Sequence, residues 1–215
     1  MLPIDPDTVD RWGRDFDPDR LAALELRMWK AYYRRQPARL LGLLILANRE
    51  QARVGWPRAV VAAFWLTRAA IGFARSMGEY ERFKPDIVRG YRRLGLPKHV
   101  DADEVARREL RWWVVRREVG LAAGAAAGDA ITAVYAAIYG VPEASVSEAG
   151  RLRGLAAEVR DRGAVADPDG PTAPGRYWPE VARLLMASYR SLHEALTTGS
   201  AEPVADVAHP DSDRA

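Results

Sequence analysis

Glu25-Leu26-Arg27-Met28-Trp29 recurs 84 residues later as Glu109-Leu110-Arg111-Trp112-Trp113. Around both copies the apolar residues are spaced for a helix. At about 100° per residue, Leu21, Leu24, Met28 and Tyr32 gather on one side of the first copy, and Arg20, Arg27, Lys30 and Arg34 on the other. Glu25 falls with the apolar group, one turn before Trp29. The second copy collects Val105, Ala106, Trp112 and Trp113, and Glu109 and Arg116 point the same way. A carboxylate on an apolar stripe must find donors or take up a proton. The recurrence therefore predicts two related helical halves, each turning an acid and an indole toward a shared interior.

Outward from these segments the pattern stays helical, and no run alternates apolar and polar as a strand would. Asp17-Pro18 opens the first helix as N-cap and first helical residue, and Pro37 stops it. A second helix runs from about 38 to Gly55, a long third from Pro57 to about Arg82, and a short fourth from Pro85 to about Leu94. Asp101-Ala102-Asp103-Glu104 reads as a capping box for the fifth. A sixth lies within 121–139, with Asp129 capping its second half and Gly120, Gly124 and Gly128 spaced for close packing. A seventh opens near Ser145 or Pro142 and closes at Gly163; Trp178-Pro179-Glu180 opens the last, to about Leu196. The Pro, Gly and Asp-rich stretch 164–176 is an excursion between them. The expected fold is all-α: a single-domain helical bundle of about eight helices over 1–198, with a degenerate internal repeat (halves near 18–95 and 101–197) and a disordered acidic tail over 199–215.

Composition removes several chemistries. The chain has no Cys, so disulfides, thiolate metal sites and cysteine nucleophiles are excluded. Its first residues, Met1-Leu2-Pro3-Ile4-Asp5-Pro6-Asp7, lack the basic and apolar regions of a signal peptide, and cytoplasmic is the expected location. No membrane span is expected: Arg58, Arg68 and Arg75 interrupt 57–77, and 121–141 is mostly Ala and Gly. The charge is +3, with Lys only at 30, 84 and 98 and Arg dispersed among acids. That dispersal argues against a nucleic-acid face. Nucleotide-binding glycine loops, His-Glu-x-x-His and Gly-x-Ser-x-Gly do not occur.

The candidate residues are Glu25, Trp29, Tyr32, Glu109, Trp113 and Arg116, as an interior network or the lining of a pocket. In the network reading, Arg116, Tyr32 and a neighbouring Arg satisfy the two acids. In the pocket reading, the acids and aromatics meet a ligand. Tyr32 and Arg116 occupy equivalent places, so each half offers an acid and, two turns later, a hydrogen-bond donor. The leading expectation is a non-catalytic module for a protein or small-molecule partner, with no cofactor and no metal. The alternative is an enzyme using Glu25 and Glu109 as general acid and base or, with Glu50 or Glu148, as ligands of a hard ion. No Glu-x-x-His accompanies them, and His193 sits at the edge of the face made by Val181, Leu185, Tyr189 and Leu192.

Overall fold

The Asp17 carboxylate accepts the backbone N–H groups of Asp19 and Arg20 at 3.0 and 3.1 Å, and Pro18 supplies a φ already suited to a helix start. The computed structural model describes residues 13–168 and 175–198, and among them there are eight α-helices and no strand. They are α1 (Pro18–Tyr33), α2 (Pro37–Ala52), α3 (Trp56–Arg75), α4 (Lys84–Leu94), α5 (Ala102–Val119), α6 (Gly124–Tyr139), α7 (Glu143–Ala166) and α8 (Trp178–Thr198). Short 3₁₀ turns at Tyr80–Phe83 and Gly120–Ala122 precede α4 and α6. The all-α expectation holds. The expected tail, 199–215, lies outside the described residues.

Connections of a few residues make successive helices antiparallel. Each helix packs on the next in the chain, and α8 returns to pack on α1, so the eight form a closed ring. The C-terminal ends of α1, α3, α5 and α7 meet at one end of that ring. There Arg117 of α5 donates to the Phe73 and Ser76 carbonyls at the end of α3, and Arg116 pairs with Asp161 of α7. At the opposite end Glu50, late in α2, accepts the Asp17 N–H at 3.1 Å and pairs with Arg20. No described helix is long and apolar enough to cross a membrane.

Four local expectations need correction. The third helix stops at Arg75, not near Arg82: Ser76 leaves it in an extended conformation, and Glu79 takes a left-handed φ of 51° before the 3₁₀ turn. Asp129 caps nothing; it is exposed within an unbroken α6. The fifth helix begins at an Asp101 cap, but Glu104 does not complete a capping box. It takes Arg107 and Arg108 instead, and Arg107 above all holds its carboxyl down to about 2. Gly163 does not end α7, which continues to Ala166. A Cβ at that position would lie 2.5 Å from the Tyr177 Cβ, so the glycine makes room for the aromatic that leads into α8.

The glycines of α6 serve close packing, as their spacing suggests. A Cβ at Gly154 of α7 would come 2.6 Å from the Gly128 Cα, a contact with backbone that no rotamer change can relieve. Gly154→Ala should therefore destabilise the protein by about 1–3 kcal/mol, as overpacking does. Gly42, exposed within α2 with no atom near its would-be Cβ, gives the opposite case: Gly42→Ala should stabilise by about 0.5–1 kcal/mol through backbone entropy. Urea unfolding of the two variants checks both signs. An unchanged midpoint for Gly154→Ala would contradict the close approach of α6 and α7.

Candidate functional site

Five positions of α1 face the interior of the ring through its second half: Glu25, Met28, Trp29, Tyr32 and Tyr33. The matching interior face of α5 is Glu109, Trp112, Trp113, Arg116 and Arg117, each 84 residues on. The spacing i, i+3, i+4, i+7, i+8 is one helical stripe. All eight helices contribute to the partly enclosed cavity between these stripes, whose volume is about 390 Å³. The six residues singled out from the sequence all line it.

Glu25 is 1% exposed and fully supplied with donors. Its Oε1 accepts the Trp29 indole N–H at 3.0 Å and two N–H groups of Arg153, from Nε at 2.8 Å and from Nη2. Its Oε2 accepts the Tyr189 hydroxyl. Glu109 has a related but uncharged set. The Trp113 and Trp112 indoles donate to Oε1 at 3.0 and 3.2 Å, and the Tyr91 hydroxyl donates to Oε2 at 3.2 Å. Each acid thus receives the indole four residues on and a phenol from the helix that precedes it in the ring. The third donor differs: a guanidinium for Glu25, a second indole for Glu109.

Of the expected partners, a neighbouring Arg does satisfy one acid, as Arg153, but Arg116 and Tyr32 do not. Arg116 does not bond either glutamate; its Nε and Nη2 form a fork on Asp161 at 3.0 and 2.9 Å. Asp161 also accepts Arg160 at 2.8 Å. Tyr32 meets Tyr33 edge to face, with ring centroids 5.2 Å apart, and bonds neither acid. Arg153, Tyr189 and Tyr91 do that work, from α7, α8 and α4. Guanidiniums also cover the aromatic walls: Arg116 lies 5.0 Å from the Trp29 ring centre, Arg153 5.3 Å from Trp112, and Arg117 4.0 Å from Phe73. Arg68 of α3 forms a fork on Asp86 of α4, with Nε at 2.6 Å and Nη2 at 2.5 Å.

Burial and charge act together on the titratable groups. Burial alone would lower the Arg153 guanidinium, yet Glu25, helped by Tyr135, Tyr189 and Glu109, holds it well above its ordinary value. Burial is the main force raising the Tyr189 and Tyr91 hydroxyls far above theirs; Glu25 and Glu109 respectively add to it. These phenols are therefore fixed donors. Glu25 thus accepts four N–H or O–H groups and Glu109 three, all from the protein.

The carboxylate-metal arrangement is not what these residues form. Glu50 caps the start of α1, and Glu148 pairs with Arg151 at the surface. Among the described residues no three His, Asp or Glu side chains gather as a metal would require. His193 packs edge-on against Phe16, with ring centres 5.3 Å apart.

One polar group on the cavity wall is left over. Asn48 of α2 is 6% exposed, and its Nδ2 has no hydrogen-bond acceptor. A buried unpaired donor costs about 1–3 kcal/mol. Its neighbour one turn on, Gln51, is occupied: its Nε2 donates to the Tyr139 hydroxyl at 2.6 Å.

Two measurements test this description. Glu25→Ala strands the buried Arg153 and should cost about 3–5 kcal/mol, whereas Glu25→Gln keeps the size and some bonding and should cost less. Equal, small losses for both in urea unfolding would show that the pair is not buried as described. The second is an alkaline titration. Tyr91, Tyr135 and Tyr189 all hold their protons more tightly folded than at the ordinary value of 10.0, burial being the main cause. Stability from them is thus fully present below pH 10 and is lost as pH rises beyond it. Tyrosinate absorbance from this cluster should appear together with loss of helical circular dichroism. Early ionisation with the helices intact would contradict their burial.

No family model, curated protein or solved structure matches the chain.

Proposed function

We propose that this protein is a non-catalytic module that binds a small molecule inside its helical ring. The observation carrying this reading is the cavity of about 390 Å³, walled by all eight helices and lined by both glutamates, which are held by indole and phenol donors. Its size falls within the range of small-molecule sites, about 300–1,000 Å³. So does its character, with Leu40, Leu44, Leu66, Ala70 and Phe73 forming apolar wall among a few polar groups. Proteins use such polar groups to orient a ligand and apolar wall to hold it.

The competing reading is an enzyme with Glu25 and Glu109 as acid and base, and both acids do reach the cavity. Their donor sets favour binding over catalysis. A general base needs a lone pair aimed at the substrate, and Glu25 spends its own on Arg153, Trp29 and Tyr189. Glu109 accepts two indoles and Tyr91, three of the roughly four hydrogen bonds a carboxylate can take. In this reading the acids shape the walls and fix the aromatics.

A neutral apolar fluorophore, N-phenyl-1-naphthylamine, tests the reading. Its emission should rise and shift to the blue on titration with the protein, saturating at one molecule per chain. Ala70→Trp or Leu44→Trp, each filling the cavity, should abolish the effect while leaving the helical circular dichroism unchanged. Undiminished binding by both folded variants would place the probe elsewhere and defeat the proposal.

A further inference from the structure

Resting on the reading of the interior as a ligand site, the geometry points to an amphipathic carboxylic acid as the ligand class, its acid group held at the end of the ring where α1, α3, α5 and α7 terminate. The charges of the interior are not evenly placed. Arg116 and Arg117 line that end against a single lining carboxylate, Asp161, which Arg160 also holds from outside the lining. Midway along the ring the balance is opposite, with Glu25 and Glu109 against Arg153. The six charged side chains that line the cavity sum to zero, but they are divided: Arg116 and Arg117 against Asp161 leave one formal positive charge at that end, and Glu25 and Glu109 against Arg153 leave one formal negative charge midway. A monoanion would neutralise the positive end, and the acids in the middle would keep that anion there.

Arg117 is the group that takes it. Its guanidinium lines the cavity and has no carboxylate within ion-pair distance among the described residues. Instead its Nη1 donates to the Phe73 and Ser76 carbonyls at 2.8 and 2.6 Å, and its plane lies over the Phe73 ring. Helix-end carbonyls orient a cation with partial charges only. The remaining N–H groups are suited to a carboxylate, the acceptor a guanidinium fits best. Met28, Leu40, Leu44 and Leu66 supply apolar wall for the body of the ligand.

A cationic ligand fits the same walls poorly. Aromatic cages recognise ammonium groups through open ring faces, but here guanidiniums already stand over Trp29, Trp112 and Phe73. A second cation would meet like charge at each.

Displacement of N-phenyl-1-naphthylamine by decanoate, 1-decanol and decylamine tests the assignment on the full chain. Decanoate should displace the probe at a concentration about tenfold to a hundredfold lower than 1-decanol, the range of a charge-assisted hydrogen bond, and decylamine should be the weakest. Arg117→Met should erase the advantage of decanoate and leave 1-decanol unchanged; Arg117→Lys should restore part of it. Should Arg117→Met fail to fold, the ranking of the three ligands on the wild-type protein still decides. Equal displacement by decanoate and 1-decanol, or a preference that survives in folded Arg117→Met, overturns the acid assignment while the interior remains a binding site. Failure of the probe itself to bind overturns the underlying reading together with it.

Discussion

A buried bond between Glu25 of α1 and Arg153 of α7 ties together the two ends of the ring, on either side of α8. The two residues are 128 apart in the chain, and Tyr189 of α8 joins them on the same carboxylate. First, seventh and eighth helices are thereby fixed to one another at a point that admits no substitute donor. A buried ion pair adds little stability over apolar packing of the same shape, but its disruption is severe. The consequence is register. A shift of α7 by one turn along α8 would leave a guanidinium and a carboxylate unpaired in low dielectric, whereas a purely apolar seam would tolerate it.

Much of this architecture could be read from the sequence because its signals are local. Asp17-Pro18, Pro37 and Gly140 mark helix ends through backbone chemistry that acts within a few residues. The interior stripes of α1 and α5 follow from the helical period alone, and so did the inward aim of Glu25, Trp29, Glu109 and Trp113. Even the indole bond was implicit: a Trp four residues after a Glu lies on the same face one turn away, and both copies form it at 3.0 Å.

What escaped were relations across the ring. Nothing within α5 tells Arg116 to choose Asp161, 45 residues away, over an acid in the facing helix. Arg153 had a faint signal, since it interrupts a face of small buried residues made by Ala149, Gly150, Ala156 and Ala157. A long cation on such a face must reach an anion elsewhere. Asn48 had a similar one, an amide following Leu40, Leu44 and Ala47 on one stripe. Gly163 misled because glycine usually ends helices, while here the demand came from Tyr177, an aromatic outside the helix.

The difference between the two carboxylate settings bears on why the ring is hollow. On the α7 side, Arg153 reaches Glu25 and lies against Trp112 and Tyr135. The residue 84 positions earlier is Ala69, fully buried in α3, and its neighbour Ala70 lines the cavity. Where Glu25 takes a guanidinium, Glu109 takes a second indole, from Trp112. A dry hollow of about 390 Å³ would cost on the order of 9 kcal/mol at about 24 cal/mol per Å³, comparable with the whole stability of a domain, about 5–15 kcal/mol. Such a volume can persist only if its walls are polar enough to hold water or a ligand. The arginines and phenols on the walls meet that condition.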